Sequence, residues 1–180
     1  MDDEDYDAPF NKATGGGAIF GATGGVLEAA LRTAARMLDG SFKKIEFKEV
    51  RGPQEIREAK YSVAGVEIKV AVTSGLGNAR KLIEKIKKGE ANYQMVEIMA
   101  CPGGCINGGG QPVQSDSVRN YVDLKAIRSK ALYDYDKQCQ YRSSDESPII
   151  KTIYDEFFDA PGKPRAHKLL HTKYVNRGKH

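Results

Sequence analysis

The chain has 180 residues, of which 40% are hydrophobic and 29% are charged, so it can form a globular domain with a core. Its 28 lysines and arginines against 24 aspartates and glutamates give a net charge of +4, too small a surplus for a dedicated nucleic-acid-binding protein. Three cysteines exclude a disulfide-stabilised secreted scaffold. The N-terminus is acidic and no apolar stretch reaches membrane-helix length, so we expect a soluble, intracellular protein without membrane insertion.

The first half of the chain predicts a helix followed by strands. Helical spacing of apolar residues predicts a helix over 26–38, with an inward face formed by Leu27, Ala30, Leu31, Ala34 and Leu38. Alternation of apolar and charged residues predicts a strand over 44–50. Two more extended runs, 56–63 and 66–73, are joined at Ala64-Gly65 and predict a hairpin.

A parallel strand pair is predicted next. The run 78–88 has helical spacing, and 93–99 is a short apolar strand. Together with strand 66–73 they form a βαβ unit, so these two strands should be parallel. Binding sites in open α/β sheets lie beyond the carboxyl ends of such strands. Cys101 and Cys105 follow the last strand directly and are therefore expected at a site.

The rest of the chain is expected to be helical. A helix is predicted over 122–133, with Leu124, Ile127 and Ala131 on one face, followed by a polar linker over 134–146. Ser147-Pro148 is a favourable start for a further helix, and a short helix follows around 166–172. We therefore predict an α/β lobe with a mixed twisted sheet flanked by helices and a helical C-terminal tail. The predicted divisions are an acidic segment (1–13), the α/β lobe (14–136) and the tail (137–180).

Glycines cluster at residues 15–25, directly before the first helix. The spacing of Gly16 and Gly21 matches a phosphate-binding loop, but Ala22 stands where that loop requires a lysine. Exposed backbone N–H groups and the positive end of the following helix would suit an anionic ligand. Close packing of the backbone explains the glycines equally well, so both interpretations stay open.

The two cysteines carry more information than the glycines. Cys101 and Cys105 are separated by Pro-Gly-Gly, and three more glycines follow at 108–110, so backbone N–H groups surround both sulfurs. Such surroundings suit an iron–sulfur cluster, although the spacing also allows zinc or a redox disulfide. Cys139 lies in the predicted linker and is expected to take no part in the site.

Three segments, in family order, resemble the iron-only ([FeFe]) hydrogenases. The string VEIMACPGGCINGGGQP, residues 96–112, resembles the family's third signature. The segment IFGATGGVLEAALRTA, residues 19–34, resembles the same family. The C-terminal region from Pro148 to Tyr174, which contains YDEF and AHKLLHTKY, resembles its small-subunit tail.

This resemblance implies one of two α/β lobes that hold the H-cluster, a [4Fe–4S] cubane joined through a cysteine sulfur to a two-iron unit with CO, cyanide and a dithiolate bridge. It implies that Cys101 is a cubane ligand and that Cys105 is the catalytic-site ligand whose sulfur also bridges to the two-iron unit. Met99 would lie against that unit, and Phe20 with Gly21 would line its pocket. The implied activity is reversible reduction of protons to hydrogen, in the cytoplasm or an anaerobic organelle.

The family's other two signatures, Thr-Ser-Cys-Cys-Pro and Met-Pro-Cys, do not occur in this sequence. The resemblance therefore implies a complementary hydrogenase half, on a partner chain or in a longer form of the same protein, that supplies two further cysteine ligands and the proton-relay cysteine. An electron carrier such as ferredoxin is implied as well. The alternatives are a hydrogenase-like iron–sulfur assembly protein and a non-catalytic regulatory subunit.

Overall fold

The computed structural model describes residues 13–38, 40, 47–52 and 55–178. Two compact units can be distinguished, Ala13–Ser144 and a second one that contains Asp145–His180. The division at 136/137 expected from the sequence stays a prediction. Within the described residues, no helix is both long enough and apolar enough to cross a lipid bilayer.

The helices and strands follow in the order α1 (Gly15–Ala18), α2 (Gly25–Leu38), β1 (Ile56–Val63), β2 (Val66–Ser74), α3 (Leu76–Lys87), β3 (Met95–Met99), α4 (Asp116–Arg119), α5 (Leu124–Gln138), α6 (Pro148–Ile153) and α7 (Pro164–Leu170). Short 3₁₀ turns occur at Ile19–Gly21, Lys48–Val50, Cys105–Asn107 and Ser144–Glu146, and a π-helical turn at Tyr154–Phe158.

A three-stranded mixed sheet of order β1-β2-β3 confirms the α/β fold class. β1 and β2 are antiparallel, with Ile56 opposite Thr73 and Val63 opposite Val66. β2 and β3 are parallel, from Val70 opposite Met95 to Ser74 opposite Met99. The predicted βαβ unit is therefore correct, and α3 is its connecting helix. β3 ends directly before the cysteines.

The core lies between α2 and the sheet. Its buried side chains are Leu27, Leu31, Phe47, Val50, Tyr61, Val70 and Val72. Residues 48–50 form a 3₁₀ turn, so the strand predicted over 44–50 is wrong at these positions, while 41–46 lie outside the described residues. Val50 is nevertheless fully buried, because the turn directs it into the core.

The inward face of α2 differs from the predicted one. Leu27 and Leu31 are buried as expected, but Ala30 and Leu38 are exposed. Two charged residues, Glu28 and Arg32, take inward positions and are almost completely buried. Apolar periodicity missed them because a charged residue is ordinarily assigned to the solvent face.

Helix α5 explains the burial of Arg32. The helix continues to Gln138, so the predicted linker over 134–146 begins too early. Asp136, on this extra turn, is 1% exposed and accepts hydrogen bonds from Arg32 Nη1 and Nη2 at 2.7 and 2.8 Å. The face predicted from Leu124, Ile127 and Ala131 is wrong as well, since Tyr133 and Asp136 are the buried residues of the helix. An ion pair therefore joins α2 to α5.

The hairpin turn offers a stability test. Ala64 has φ 51° and Gly65 has φ 78°, the two positive values of a type I′ turn. Alanine is strained there, whereas asparagine tolerates this conformation. We expect Ala64→Asn to raise the free energy of unfolding by about 0.5–1 kcal/mol, measured by urea denaturation. Ser62→Asn, on the exposed face of β1, is the control and should not stabilise; equal stabilisation by both would contradict the explanation.

The C-terminal unit has its own ring contacts. The rings of Tyr154 and Phe158 are 5.4 Å apart, and the Arg165 guanidinium lies 5.3 Å from the Phe157 ring. Arg165 Nη1 also donates to the Phe157 carbonyl at 2.9 Å. His167 and His171 stack at 4.5 Å. This agrees with the helical tail expected from the sequence.

Candidate functional site

The two cysteines lie in the loop after β3. Cys101 comes two residues after the strand ends at Met99, and Cys105 begins the 3₁₀ turn that follows. Both cysteines are exposed and neither forms a disulfide. Cys139 is half-buried at the end of α5. Strand β3 thus delivers Cys101 and Cys105 to the carboxyl edge of the parallel strand pair, as the topology predicts.

A pocket of about 460 Å³ opens beside these cysteines. Its walls come from the start of α2, from β3 and from the loop, and its lining residues are Val26, Leu27, Ala30, Met95, Val96, Glu97, Ile98, Met99, Ala100, Cys101, Gly104 and Cys105. Of the residues implicated by the sequence, the structure brings Met99, Cys101 and Cys105 together at this pocket. Phe20 and Gly21 do not line it, and Phe20 is 44% exposed.

The first glycine cluster, at residues 15–25, contacts the second, at residues 103–110 in the cysteine loop. The Thr23 N–H donates to the Gly103 carbonyl at 3.0 Å. A Cβ atom on Gly104 would lie 2.6 Å from the Gly21 carbonyl oxygen and 2.8 Å from the Thr23 nitrogen. On its other side the loop is held by β2, because the Gly103 N–H donates to Ser74 Oγ at 3.1 Å. The loop between the cysteines is therefore fixed by backbone contacts that glycine permits.

Two backbone N–H groups at the start of α2 donate hydrogen bonds to a side chain of the same protein. Glu97 in β3 accepts hydrogen bonds from the Gly24 N–H at 2.5 Å and the Leu27 N–H at 2.7 Å, one on each carboxylate oxygen. These bonds satisfy helix-start amides that otherwise lack an intrahelical partner. The sequence left open an anionic ligand here, and at these two amides the anion is the Glu97 side chain.

The upstream glycines serve close packing. Residues 15–18 form α1, capped by Thr14, and not an open loop. A Cβ atom on Gly15 would lie 2.2 Å from Asp136 Oδ1, and one on Gly16 would lie 3.0 Å from the Arg142 carbonyl oxygen. Of the two interpretations that the sequence allowed, the structure therefore supports packing for Gly15 and Gly16.

A buried arginine contacts the turn formed by residues 21–24. Arg57 in β1 is 4% exposed and donates to the carbonyls of Thr23 at 3.0 Å and Gly52 at 2.7 Å. Burial lowers the pKa of its guanidinium, and electrostatic interactions with Tyr133 and Glu97 offset only part of that effect. Sequence reasoning missed Arg57, Glu97 and Ser74. The signal for Glu97 was a charged residue inside an otherwise apolar strand.

The donor set decides which cofactor this site could hold. Two free thiols beside an apolar pocket suit a group bound through sulfur, such as an iron–sulfur cluster. Within the described residues, no group of three or more histidine, cysteine, aspartate or glutamate side chains is arranged to hold a metal ion. The described part of the chain thus fits half of the ligand set of a four-cysteine cluster.

Two known families match this chain. Residues 1–109 match the family described as "Iron only hydrogenase large subunit, C-terminal domain". Residues 122–177 match "Iron hydrogenase small subunit". Together these two matches cover most of the chain, and the first includes the glycines at 15–25 and the cysteine loop as far as Gly109.

Individual relatives include hydrogenases and an assembly factor. The chain is 44% identical to the NADP-reducing hydrogenase subunit HndD of Solidesulfovibrio fructosivorans, covering 98% of this chain and 30% of that protein. It is 34% identical to a probable cytosolic Fe–S cluster assembly factor of Anopheles gambiae, and the match covers 84% of this chain and 31% of that protein. The solved [FeFe]-hydrogenase HydA1 of Chlamydomonas reinhardtii matches with a TM-score of 0.71 and 36% identity, covering 97% of this chain and 50% of that one.

The chain thus spans about 30% of the curated relatives it matches and half of that solved structure. Membership of this family implies an iron–sulfur cofactor and a relationship to redox enzymes. On the two family matches, the identities and the structural similarity, the chain belongs to the iron-only hydrogenase family and corresponds to its C-terminal part.

Proposed function

We propose that this chain contributes one half of the H-cluster site of an iron-only hydrogenase. The observation that carries the proposal is the convergence of Met99, Cys101 and Cys105 on one apolar pocket at the carboxyl edge of the β2–β3 pair. Free thiols at such a position are suitable ligands for iron. The identity with hydrogenase relatives over nearly the whole chain supports the same assignment.

Each residue has a defined role in this proposal. Cys101 and Cys105 would hold the cubane through their sulfur atoms, and Cys105 would also be the ligand shared with the two-iron unit. Met99, at the end of β3, would contact that unit, and Phe20 with Gly21, which do not line the pocket of this chain, would line the pocket of the two-iron unit in the assembled site. When bound, the H-cluster supplies the redox chemistry that interconverts protons and hydrogen. The apolar walls formed by α2 and β3 would limit the access of water once the complementary half covers the exposed cysteines.

The proposal requires partners. A complementary hydrogenase half supplies the two further cysteine ligands and the proton-relay cysteine. An electron carrier such as ferredoxin exchanges electrons with the assembled site. The extent of the match agrees with a site completed by a further hydrogenase segment, on another chain or elsewhere in the same protein, because this chain covers half of HydA1 and about 30% of the curated relatives.

The experiment compares three cysteine variants. The chain is co-expressed anaerobically with a complementary cysteine-bearing half and the maturation machinery, and iron content and hydrogen evolution are measured. We expect Cys101→Ala and Cys105→Ala to lower hydrogen evolution by at least about 100-fold, because each removes a first ligand of the cofactor. Cys139→Ala is the matched control, since Cys139 lies at the end of α5 and outside the pocket, and it should keep both iron and activity.

Two results would contradict the proposal. Hydrogen evolution retained by Cys105→Ala would show that Cys105 is not a ligand of the cofactor and would contradict the assignment of the site. An assembled complex that binds iron through Cys101 and Cys105 but produces no hydrogen would favour the second candidate, an iron–sulfur assembly or regulatory protein. The similarity to the Anopheles gambiae assembly factor over 84% of this chain keeps that candidate in view.

A further inference from the structure

A buried carboxylate connects the separate parts of the candidate site. Glu97 lies in the middle of β3 and is 9% exposed, whereas its strand neighbours Val96 and Ile98 are 39% and 42% exposed. A carboxylate in such a position is unfavourable unless hydrogen bonds replace its lost water. A carboxylate at this position of β3 is therefore stable only if hydrogen bonds within the protein compensate for its burial.

Those hydrogen bonds are made with the start of α2. One carboxylate oxygen accepts from the Gly24 N–H and the other from the Leu27 N–H, at 2.5 and 2.7 Å. Bonds between backbone N–H groups and a carboxylate are charge-assisted, and the positive end of the helix strengthens them. These bonds therefore fix the position of α2 relative to β3 where the two elements form the wall of the pocket.

The same turn continues to the loop that carries the cysteines. Thr23, which precedes Gly24, donates its N–H to the Gly103 carbonyl at 3.0 Å. Gly104 lies against the backbone of residues 21–23. Any shift of Gly24 relative to β3 is therefore transmitted to the segment between Cys101 and Cys105. The hydrogen bonds of Glu97 connect β3 to the turn at residues 21–24, and the same turn contacts the cysteine loop, which follows β3 in the chain.

We infer that Glu97 is a positioning residue that sets where Cys101 and Cys105 lie relative to Met99 and the start of α2. The inference deepens the proposed function and rests on it, because it takes the two cysteines as iron ligands. Glu97 itself touches neither sulfur in this scheme. It acts through the Gly24 amide, the Thr23–Gly103 bond and the strand that it shares with Met99.

The first test uses the full chain without a cluster. Glu97→Gln keeps the side-chain length but directs an N–H₂ group at one of the two backbone N–H donors. We expect amide hydrogen exchange to accelerate by about tenfold at whichever of Gly24 and Leu27 faces the N–H₂ group and loses its bond. We also expect acceleration at Thr23, Gly104 and Gly108, whose amide bonds define the loop. Amide exchange followed by NMR reports each position separately.

Thr14→Ala is the matched control. It removes another side-chain cap of the same lobe, since Thr14 Oγ1 accepts from the Gly17 N–H at 3.2 Å, and no α1 residue lines the pocket. It should accelerate exchange at Gly17 and leave the loop amides unchanged. If Glu97→Gln accelerates only Gly24 or Leu27, or if Thr14→Ala accelerates the loop equally, the positioning role is overturned.

The second test uses the assembled complex. We expect Glu97→Gln to lower iron retention by about tenfold relative to Thr14→Ala and to shift the infrared bands of the bound CO and cyanide, a change that global destabilisation alone does not produce. Unchanged bands together with faster loop exchange would overturn the inference. Because the exchange experiment needs no cluster, failure of the half-site proposal is read separately, from the Cys105→Ala variant.

Discussion

Replacing Asp136 with alanine is expected to lower the free energy of unfolding by about 3–5 kcal/mol, the cost of removing one partner of a buried ion pair. Asp136 accepts from Arg32 Nη1 and Nη2 at 2.7 and 2.8 Å and from Arg142 Nη2 at 2.7 Å. Arg32 is 1% exposed, so its charge cannot turn to solvent when the carboxylate is removed. Arg32 keeps its hydrogen bond from Nη2 to Glu28 Oε1 at 2.5 Å, but this carboxylate also accepts two hydrogen bonds from Arg51 and therefore does not replace Asp136.

Urea denaturation of the full chain measures this effect, and the same helix provides the control. Asp134 lies two residues earlier on α5 and pairs with Lys130 and Lys137 on the surface. Its replacement by alanine should leave the unfolding midpoint almost unchanged, because exposed ion pairs contribute little. Equal effects of the two substitutions would mean that the buried network does not stabilise the contact between α2 and α5.

The same network predicts a dependence on pH. Burial alone would raise the pKa of the Asp136 carboxyl, but hydrogen bonds from Arg32 and Arg142 outweigh it and hold the pKa below its usual value. The stabilisation is therefore complete above the unfolded-state pKa of about 3.9 and is lost as the pH falls through the folded-state value. The difference in unfolding free energy between wild type and Asp136→Asn should be constant from pH 7 to 5 and shrink below about pH 4. A constant difference down to pH 2 would contradict this assignment.

Local patterns in the sequence were sufficient for much of the fold. The spacing of Leu27 and Leu31 predicts α2 to within one residue at its start, and the alternation around Ala64-Gly65 predicts both strands of the hairpin. The helix between two apolar strands predicts the parallel pair, since a short crossover leaves few other arrangements. The position of Cys101 and Cys105 after β3 follows from the same topology.

Long-range polar contacts could not be predicted from those patterns. Arg32 has one local partner, Glu28, but its other carboxylate partner, Asp136, lies 104 residues away, and the amide that Glu97 caps at Gly24 lies 73 residues away. Periodicity assigns each charged residue to solvent unless its partner is known, so the inner faces of α2 and α5 were partly wrong. The glycines at 15 and 16 were ambiguous for the same reason, because the groups they pack against belong to residues 136 and 142.

The junction between the two glycine clusters gives the second large prediction, Gly104→Ala. Gly104 has φ 99° and ψ −165°, a backbone conformation adopted essentially by glycine alone. The added Cβ would lie 2.6 Å from the Gly21 carbonyl oxygen, 2.8 Å from the Thr23 nitrogen and 3.1 Å from the Ala22 carbonyl carbon. All three neighbours are backbone atoms, so no side-chain rotation can relieve the overlap.

We therefore expect Gly104→Ala to separate the cysteine loop from the 21–23 turn. The backbone conformation alone costs about 1–3 kcal/mol, and the Thr23–Gly103 bond is lost in addition. Urea denaturation measures the loss of stability, and the amide chemical shifts of residues 21–23 report the separation. In the assembled complex, iron content should fall by at least about tenfold, because Cys101 and Cys105 no longer face one pocket.

Gly109→Ala, in the same loop, separates this effect from a general intolerance of the loop to side chains. A Cβ atom on Gly109 meets nothing within 4 Å, so this variant should keep the stability and the iron content of the wild type. If Gly104→Ala instead leaves the amide shifts of residues 21–23 unchanged, the loop does not depend on that contact. If Gly109→Ala loses iron to the same extent, the backbone junction at Gly104 is not what holds the two cysteines together. The two variants thus test whether the site is assembled by backbone packing or by the flexibility of a glycine-rich loop.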